Sequence, residues 1–228
     1  GDRRLRLGIA GGEWKKMMAD ATARTRFASE VKKIIEQYDF DGVDFDFEWP
    51  ANASEYNNYS ATVIQMRSTL GKYVYFTASL HPVSFKISPE AIDALDFISY
   101  QCYGPAVMRF PYEQFVKDGE AAVAYGIPKN KLVMGVPFYG STGSLIAAYC
   151  DFVNDGLATT NEDTYTYKGN TYTFNSIETI RKKARYVCEE DYAGIMSWDL
   201  ATDIDITNNK SLLKVIKEEF EYYANPTE

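Results

Sequence analysis

A chain of 228 residues, 46% of them hydrophobic, is long enough for one sizeable core and too apolar to be disordered. Its formal charge of −8 and the lack of any basic run argue against nucleic acid as a partner. One histidine, His81, leaves almost no material for serine–histidine catalysis or a multi-histidine zinc site.

Three cysteines cannot build a full disulfide framework; a Cys150–Cys188 bridge and three free thiols are both open. No apolar run approaches the ~20 residues of a membrane span, and no signal peptide is visible. His81 precedes Pro82 at a strand end and reads as structural.

In chain order, Leu5–Ala10 reads as a strand ending in Gly11-Gly12-Glu13-Trp14. Phe27, Val31, Ile34, Ile35 and Tyr38 have helical spacing, which predicts a helix from about Thr25 to Tyr38. A strand through Asp41–Glu48 follows, then a helix with Tyr56, Tyr59, Val63, Met66 and Leu70 on one stripe. Tyr73–Leu80 is the next strand, and a short helix at Pro89–Leu95 leads into a strand over Asp96–Tyr103. A helix near Tyr112–Tyr125 precedes the strand Leu132–Val136 and the loop Pro137-Phe138-Tyr139-Gly140.

Residues 141–175 are less regular, with a small hairpin of Thr164–Tyr167 and Thr171–Phe174 around Gly169-Asn170. Ile177, Ile180, Ala184 and Val187 mark a helix, Tyr192–Trp198 the last strand, and Leu212, Leu213, Ile216 and Phe220 a closing helix. Alternating strand and helix throughout is the pattern of an α/β fold with a parallel sheet. Functional-looking residues at the C-terminal ends of several strands favour a (β/α) barrel over a doubly wound sheet.

The strand Asp41–Glu48 carries the chemistry. Side chains alternate faces along a strand, so Asp44, Asp46 and Glu48 form one row and Val43, Phe45 and Phe47 the other. Acidic neighbours then lie roughly 6.6 Å apart at Cα, twice the strand rise. Three carboxylates in a partly buried row cannot all ionise cheaply, so one holds a proton near neutral pH beside anionic neighbours. That is the arrangement acid/base hydrolysis needs, and Glu48, the longest and last, is the candidate acid. A solvated face of an antiparallel strand, or a Ca²⁺ or Mg²⁺ site, are the bland readings. Parallel strands are usually covered on both faces, and no Gly-containing loop of alternating oxygen ligands surrounds the row.

The run DGVDFDFE fills every fixed position of D-G-x-D-x-D-x-E, and the chain resembles glycoside hydrolase family 18, the chitinases and endo-β-N-acetylglucosaminidases. Four further stretches resemble the family's strand ends. Ile9-Ala10-Gly11-Gly12 matches S-x-G-G-W with Trp14 one place late and Ile9 in place of the serine, whose hydroxyl supports the first aspartate of the row. Asp96-Phe97 with Gln101 and Tyr103 matches the sixth strand in its Q-x-Y form. Leu132–Gly140 is similar to K-L-x-L-G-x-P-F-Y-G, with Ser141 where an arginine often follows. Gly194–Asp199 resembles the eighth strand, whose tryptophan, here Trp198, floors the sugar pocket.

The resemblance implies a single catalytic (β/α) TIM-type barrel over 1–228 with an irregular insertion at 141–175. It starts at the family's third strand, so the first two βα units have no counterpart in this sequence. Six barrel strands are then expected against the eight of a closed barrel, with Leu5–Ala10 beside an open edge or a foreign strand.

The implied reaction is hydrolysis of β-1,4 bonds after N-acetylglucosamine, with retention, using the substrate's own acetamide. Glu48 would be acid and then base, Asp46 would orient the acetamide, and Asp44 would tune Asp46. Tyr103 and Gln101 would hold the acetamide and hydroxyls, with Trp198, Tyr139, Trp49 and Met196 completing the sugar contacts. Cis peptides at Glu48–Trp49 and Trp198–Asp199 are implied, and no metal or cofactor. The partner implied is an N-acetylglucosamine oligosaccharide or polysaccharide; the location implied is extracellular, cell-surface or periplasmic. Alternatives are an endo-β-N-acetylglucosaminidase on N-glycan cores, a non-catalytic chitin-binding lectin-like barrel, and a metal-dependent phosphoryl-transfer barrel.

Overall fold

The computed structural model describes residues 3–104, 106–158 and 161–225. The chain divides into two compact units, Gly1–Tyr100 with Ala122–Lys131, and Gln101–Ala121 with Leu132–Glu228.

The first unit alternates strand and helix: β1 (Arg6–Gly11), α1 (Lys15–Ala19), α2 (Ala21–Tyr38), β2 (Gly42–Phe47), α3 (Ala53–Leu70), β3 (Tyr75–Leu80), α4 (Pro89–Ala94) and β4 (Phe97–Tyr100). Its strands are parallel in the order β1-β2-β3-β4. β1 pairs with β2 and with no other strand among the described residues, as expected for the edge of an incomplete barrel. Helix starts follow from side-chain caps. Asp20 accepts from Ala23 N, Asn52 from Glu55 N and Ser88 from Ala91 N, with Pro89 at the first position of α4. The Asp20 cap starts α2 at Ala21, ahead of the apolar stripe that marks Thr25–Tyr38 in the sequence.

The strand β4 stops at Tyr100, short of the expected Tyr103, because its partner β3 ends at Leu80, the residue registered with Tyr100. Gln101 and Tyr103 therefore lie beyond the ladder. The core of this unit is built on β2. Val43, Phe45 and Phe47 are fully buried, and Phe45 stacks on Tyr59 of α3 with centroids 5.3 Å apart and lies 5.9 Å from Phe27 of α2. Gly42 is required here by close approach. A Cβ at that position would sit 1.8 Å from the Tyr75 carbonyl oxygen.

After α5 (Tyr112–Tyr125), the second unit holds β5 (Leu132–Pro137), β6 (Tyr139–Ser141), β7 (Ile146–Ala148), α6 (Tyr149–Asn154), β8 (Thr164–Tyr167), β9 (Asn170–Thr173), α7 (Ile177–Glu189), β10 (Gly194–Trp198) and α8 (Leu212–Ala224). β5 and β10 pair in parallel, Gly194 opposite Val133 through Trp198 opposite Pro137. Between them the segment expected to be irregular folds into an antiparallel sheet, β7-β6-β9-β8, with α6 packed by Phe152 against Tyr165, Tyr172 and Phe174. Its strands of three or four residues are too short for alternation to show in the sequence. The hairpin turns at Lys168-Gly169, one residue before the expected pair, because both have positive φ (49° and 77°), the backbone a two-residue hairpin loop needs.

Arg181 and Arg185 of α7 clamp the buried Glu219 of α8. Lys183 is fully buried and donates to Phe110 O and Asn175 Oδ1, both at 2.7 Å. Cys102, Cys150 and Cys188 are all free thiols. No helix of the described residues is long and apolar enough to cross a membrane.

Truncating Phe45 removes a ring held on two sides. Phe45→Ala is expected to lower the unfolding free energy by about 3–5 kcal/mol, read as a fall in the urea midpoint at unchanged slope.

Candidate active site

The residues singled out in the sequence form two groups, one in each unit. The first lies along β2 and the turn after it. Asp44 and Asp46 are half-buried and Glu48 is exposed, while the intervening residues are buried. The end of the strand is gripped by the double glycine of β1: Glu48 N donates to Gly11 O at 3.2 Å, and a Cβ on Gly12 would lie 3.1 Å from Glu48 O. The Glu48–Trp49 bond is cis. Trp49 packs on His81 with ring centroids 5.0 Å apart. His81 is itself buried and accepts from Val83 N at Nδ1, which fits the structural role expected of it.

The hydroxyl support of Asp44 is not lost, as the alignment of Ile9 with the family's serine implies; it comes from elsewhere. Register places Ile9 opposite Phe45, on the apolar side, and Gly8 and Ala10 opposite Asp44 and Asp46. No residue of β1 at those two positions carries a hydroxyl. Instead Ser79 Oγ of β3 donates to Asp44 Oδ2 at 2.7 Å, Thr77 Oγ1 donates to Asp44 Oδ1, and Arg6 Nη1 reaches the same oxygen at 3.4 Å. These three supports were missed from the sequence. The signal for two of them was present: Thr77 and Ser79 are the polar i, i+2 pair of an otherwise apolar strand.

Burial pushes the Asp46 carboxyl up from 3.8 to about 7, and the charges of Glu48 and Asp44 push in the same direction. The Tyr59 phenol beneath is raised well above its ordinary range by burial and by Asp44 and Asp46; it donates to Phe45 O at 3.2 Å.

The second group follows β4, β5 and β10. Gln101 and Tyr103 are buried beyond the end of β4. Tyr103 Oη donates to Met196 Sδ at 3.4 Å, and its ring meets Tyr139 edge-on with centroids 6.4 Å apart. Burial pushes the Tyr139 phenol up to about 12. Trp198 is 56% exposed, with its carbonyl fixed by Phe138 N at 2.8 Å. The Trp198–Asp199 bond is cis, and Asp199 Oδ1 is occupied as a helix cap, accepting from Thr202 N at 3.1 Å. Ser141, where the family often has arginine, is buried in β6 and accepts from Gly143 N.

The raised affinity of Asp46 has a sign in stability. The folded chain keeps this proton up to about pH 7 while the unfolded chain releases it near 3.8. Stability from this group is therefore full at low pH and is lost as pH rises through that window. Asp46→Asn is expected to gain on wild type between pH 4.5 and 7.5 in urea unfolding; a parallel pH dependence of the two proteins would contradict it.

The chain matches the model of glycosyl hydrolases family 18 over residues 4–203. It is 23% identical to Probable chitinase 2 of Drosophila melanogaster, covering 95% of this chain and 60% of that protein. It is 24% identical to a class V chitinase of Arabidopsis thaliana, over 86% of this chain and 69% of the relative. The solved chitinase of Bacteroides thetaiotaomicron superposes with a TM-score of 0.81 at 24% identity, over 95% of this chain and 76% of that one. The chain thus spans three fifths of the length of the fly protein. The fold shared with the solved structure is the (β/α) TIM-type barrel. The family match runs from the first strand to beyond the last, through the strand that holds the acidic row, and on it the chain belongs to the glycosyl hydrolases family 18.

Proposed function

We propose that this chain carries the catalytic barrel of a chitinase-type hydrolase, cleaving β-1,4 bonds after N-acetylglucosamine with retention at the anomeric carbon. The observation that carries this reading is the row itself, with a carboxyl at its centre, Asp46, that burial and two flanking carboxylates keep protonated to about pH 7.

Asp46 is next to Glu48 in the row, so its proton is available to the acid end. Glu48 gives a proton to the leaving oxygen as the acetamide oxygen attacks the anomeric carbon. The glycosidic bond breaks and an oxazolinium ring forms. Asp46, now anionic, accepts the acetamide N–H and offsets the ring's charge. Water then attacks the same carbon, Glu48 takes its proton, and the row returns to its starting state. A protein nucleophile would need a second carboxyl flanking the bond at roughly 5–5.5 Å. Asp46 lies on the same strand face as Glu48, and Asp199 is committed to its cap. The exposed face of Trp198 suits the apolar face of a pyranose ring. Gln101, Tyr103 and Tyr139 supply amide and phenol groups for acetamide and hydroxyls. Relatives named as chitinases favour chito-oligosaccharide over the N-glycan core.

Glu48→Gln keeps the shape of the acid but has no proton to give. It is expected to lower kcat/KM on a chromogenic chitobioside by ~10²–10⁴-fold while oligosaccharide binding stays within a few-fold. Near-normal turnover would remove Glu48 from its role.

A thiazoline analogue of the oxazolinium is expected to inhibit competitively, and a substrate with hydroxyl in place of acetamide to turn over poorly. Efficient cleavage of that glucoside, or a glycosyl ester trapped on any carboxylate, would overturn the acetamide mechanism. Chitin oligomers and a high-mannose glycopeptide offered side by side separate the two substrate classes, and binding of either without turnover would give the lectin-like reading.

A further inference from the structure

The cation at the acidic row comes from outside every motif, from Arg6 at the start of β1. Arg6, Gly8 and Ala10 alternate along one side of that strand, and register sets Gly8 and Ala10 beside Asp44 and Asp46. The guanidinium is held at three points. Nη1 donates to Thr77 Oγ1 at 2.5 Å, it lies 3.4 Å from Asp44 Oδ1, and the guanidinium carbon stands 4.8 Å from the centroid of the Phe97 ring.

This geometry settles the direction of a proton. Thr77 Oγ1 has one hydrogen to give. With Arg6 donating to its lone pair, that hydrogen points at Asp44 Oδ1, its closest partner. Ser79 Oγ donates to Oδ2 at 2.7 Å. Both oxygens of Asp44 are thus acceptors, and a proton placed on either would displace a donor. Among the described residues, the charged and titratable groups around Asp44 are Arg6 from β1, Asp46 and Glu48 from β2, and the Tyr59 phenol from α3; β3 adds the two hydroxyls and β4 the Phe97 ring. Arg6 is the cation of that set.

We propose that Arg6 is a positioning residue for the row: through Thr77 it fixes both oxygens of Asp44 as acceptors, and so leaves the row's proton to Asp46. The consequence for hydrolysis rests on the function proposed above; the assignment of the proton does not. Removing the cation makes the row more negative, so it holds its proton to higher pH.

The test is carboxyl ¹³C NMR of Asp-labelled full-length chain, titrated from pH 4 to 9, with Asp46 assigned through Asp46→Asn. Arg6→Met is expected to raise the Asp46 midpoint by on the order of one pH unit, and to move the matching limb of the kcat/KM profile by the same amount. Arg6→Lys should return most of the shift. Thr77→Val keeps the cation but removes the hydroxyl that links it to Asp44, and the Asp46 midpoint should then move from the wild-type value. An unchanged Asp46 midpoint in folded Arg6→Met overturns the proposal. Should that variant not fold, a Thr77→Val protein with an unchanged Asp46 midpoint overturns it instead. A wild-type chain that titrates as expected yet cleaves neither chitin oligomers nor glycopeptide would sink the proposed function and leave the role of Arg6 standing.

Discussion

Like-charge repulsion along β2 is the constraint on which the site depends. Three carboxyls at every second position of one strand face the same way, and the strand has no means of turning one aside. Water relieves the last of them, because Glu48 is exposed. Donors relieve the first, because Asp44 collects Ser79, Thr77 and Arg6. Burial first, and then the charges on either side, keep the proton on the middle one, Asp46. Position along one strand thus divides the labour between chemically similar groups.

The opposite row makes this arrangement rigid. Phe45 and Phe47 are packed against Tyr59, so the strand cannot rotate to release its charges without opening the core. Gly42 and Gly12 set the height of the strand at its two ends, one against the Tyr75 carbonyl and the other against that of Glu48. In the D-G-x-D-x-D-x-E motif the glycine is therefore a packing residue.

What was legible in the sequence was what a single strand encodes. Alternation gave the two rows of β2, their burial and the identity of the three acids, because period two is a local property. The partners of Asp44 were not legible, because they depend on register between strands far apart in the chain. Asp44 meets Thr77 and Arg6 only once β1, β2 and β3 are laid side by side. The same reason misplaced the missing hydroxyl at Ile9. Counting back from the glycines puts Ile9 at the serine, whereas pairing puts it opposite Phe45 and gives Gly8 and Ala10 to the row. Likewise β4 was drawn to Tyr103 because its apolar pattern continues, and it stops at Tyr100 where its neighbour ends. The sheet inside 141–175 escaped because its strands are shorter than any period can register.

Buried titratable groups in the two units act on stability from opposite sides of neutrality. Asp46 favours the folded chain while it is protonated, and that contribution is gone once pH passes about 7. Lys183 behaves in mirror image. Burial lowers its ammonium from 10.5 to about 7, so its folded form prefers the neutral amine and stability falls as pH drops from 10.5 toward 7. Near neutral pH both costs are present together. They have different returns. A neutral amine has two hydrogens, and Lys183 places them on Phe110 O and Asn175 Oδ1, tying the segment before α5 to α7; an apolar side chain of similar length would strip Asn175 Oδ1 of this donor and leave Phe110 O with Asn175 Nδ2. The strand that carries Asp46 is instead held by Phe45 and Phe47, whichever way that carboxyl is charged. A raised carboxyl at a half-buried position accords with the role proposed for Asp46.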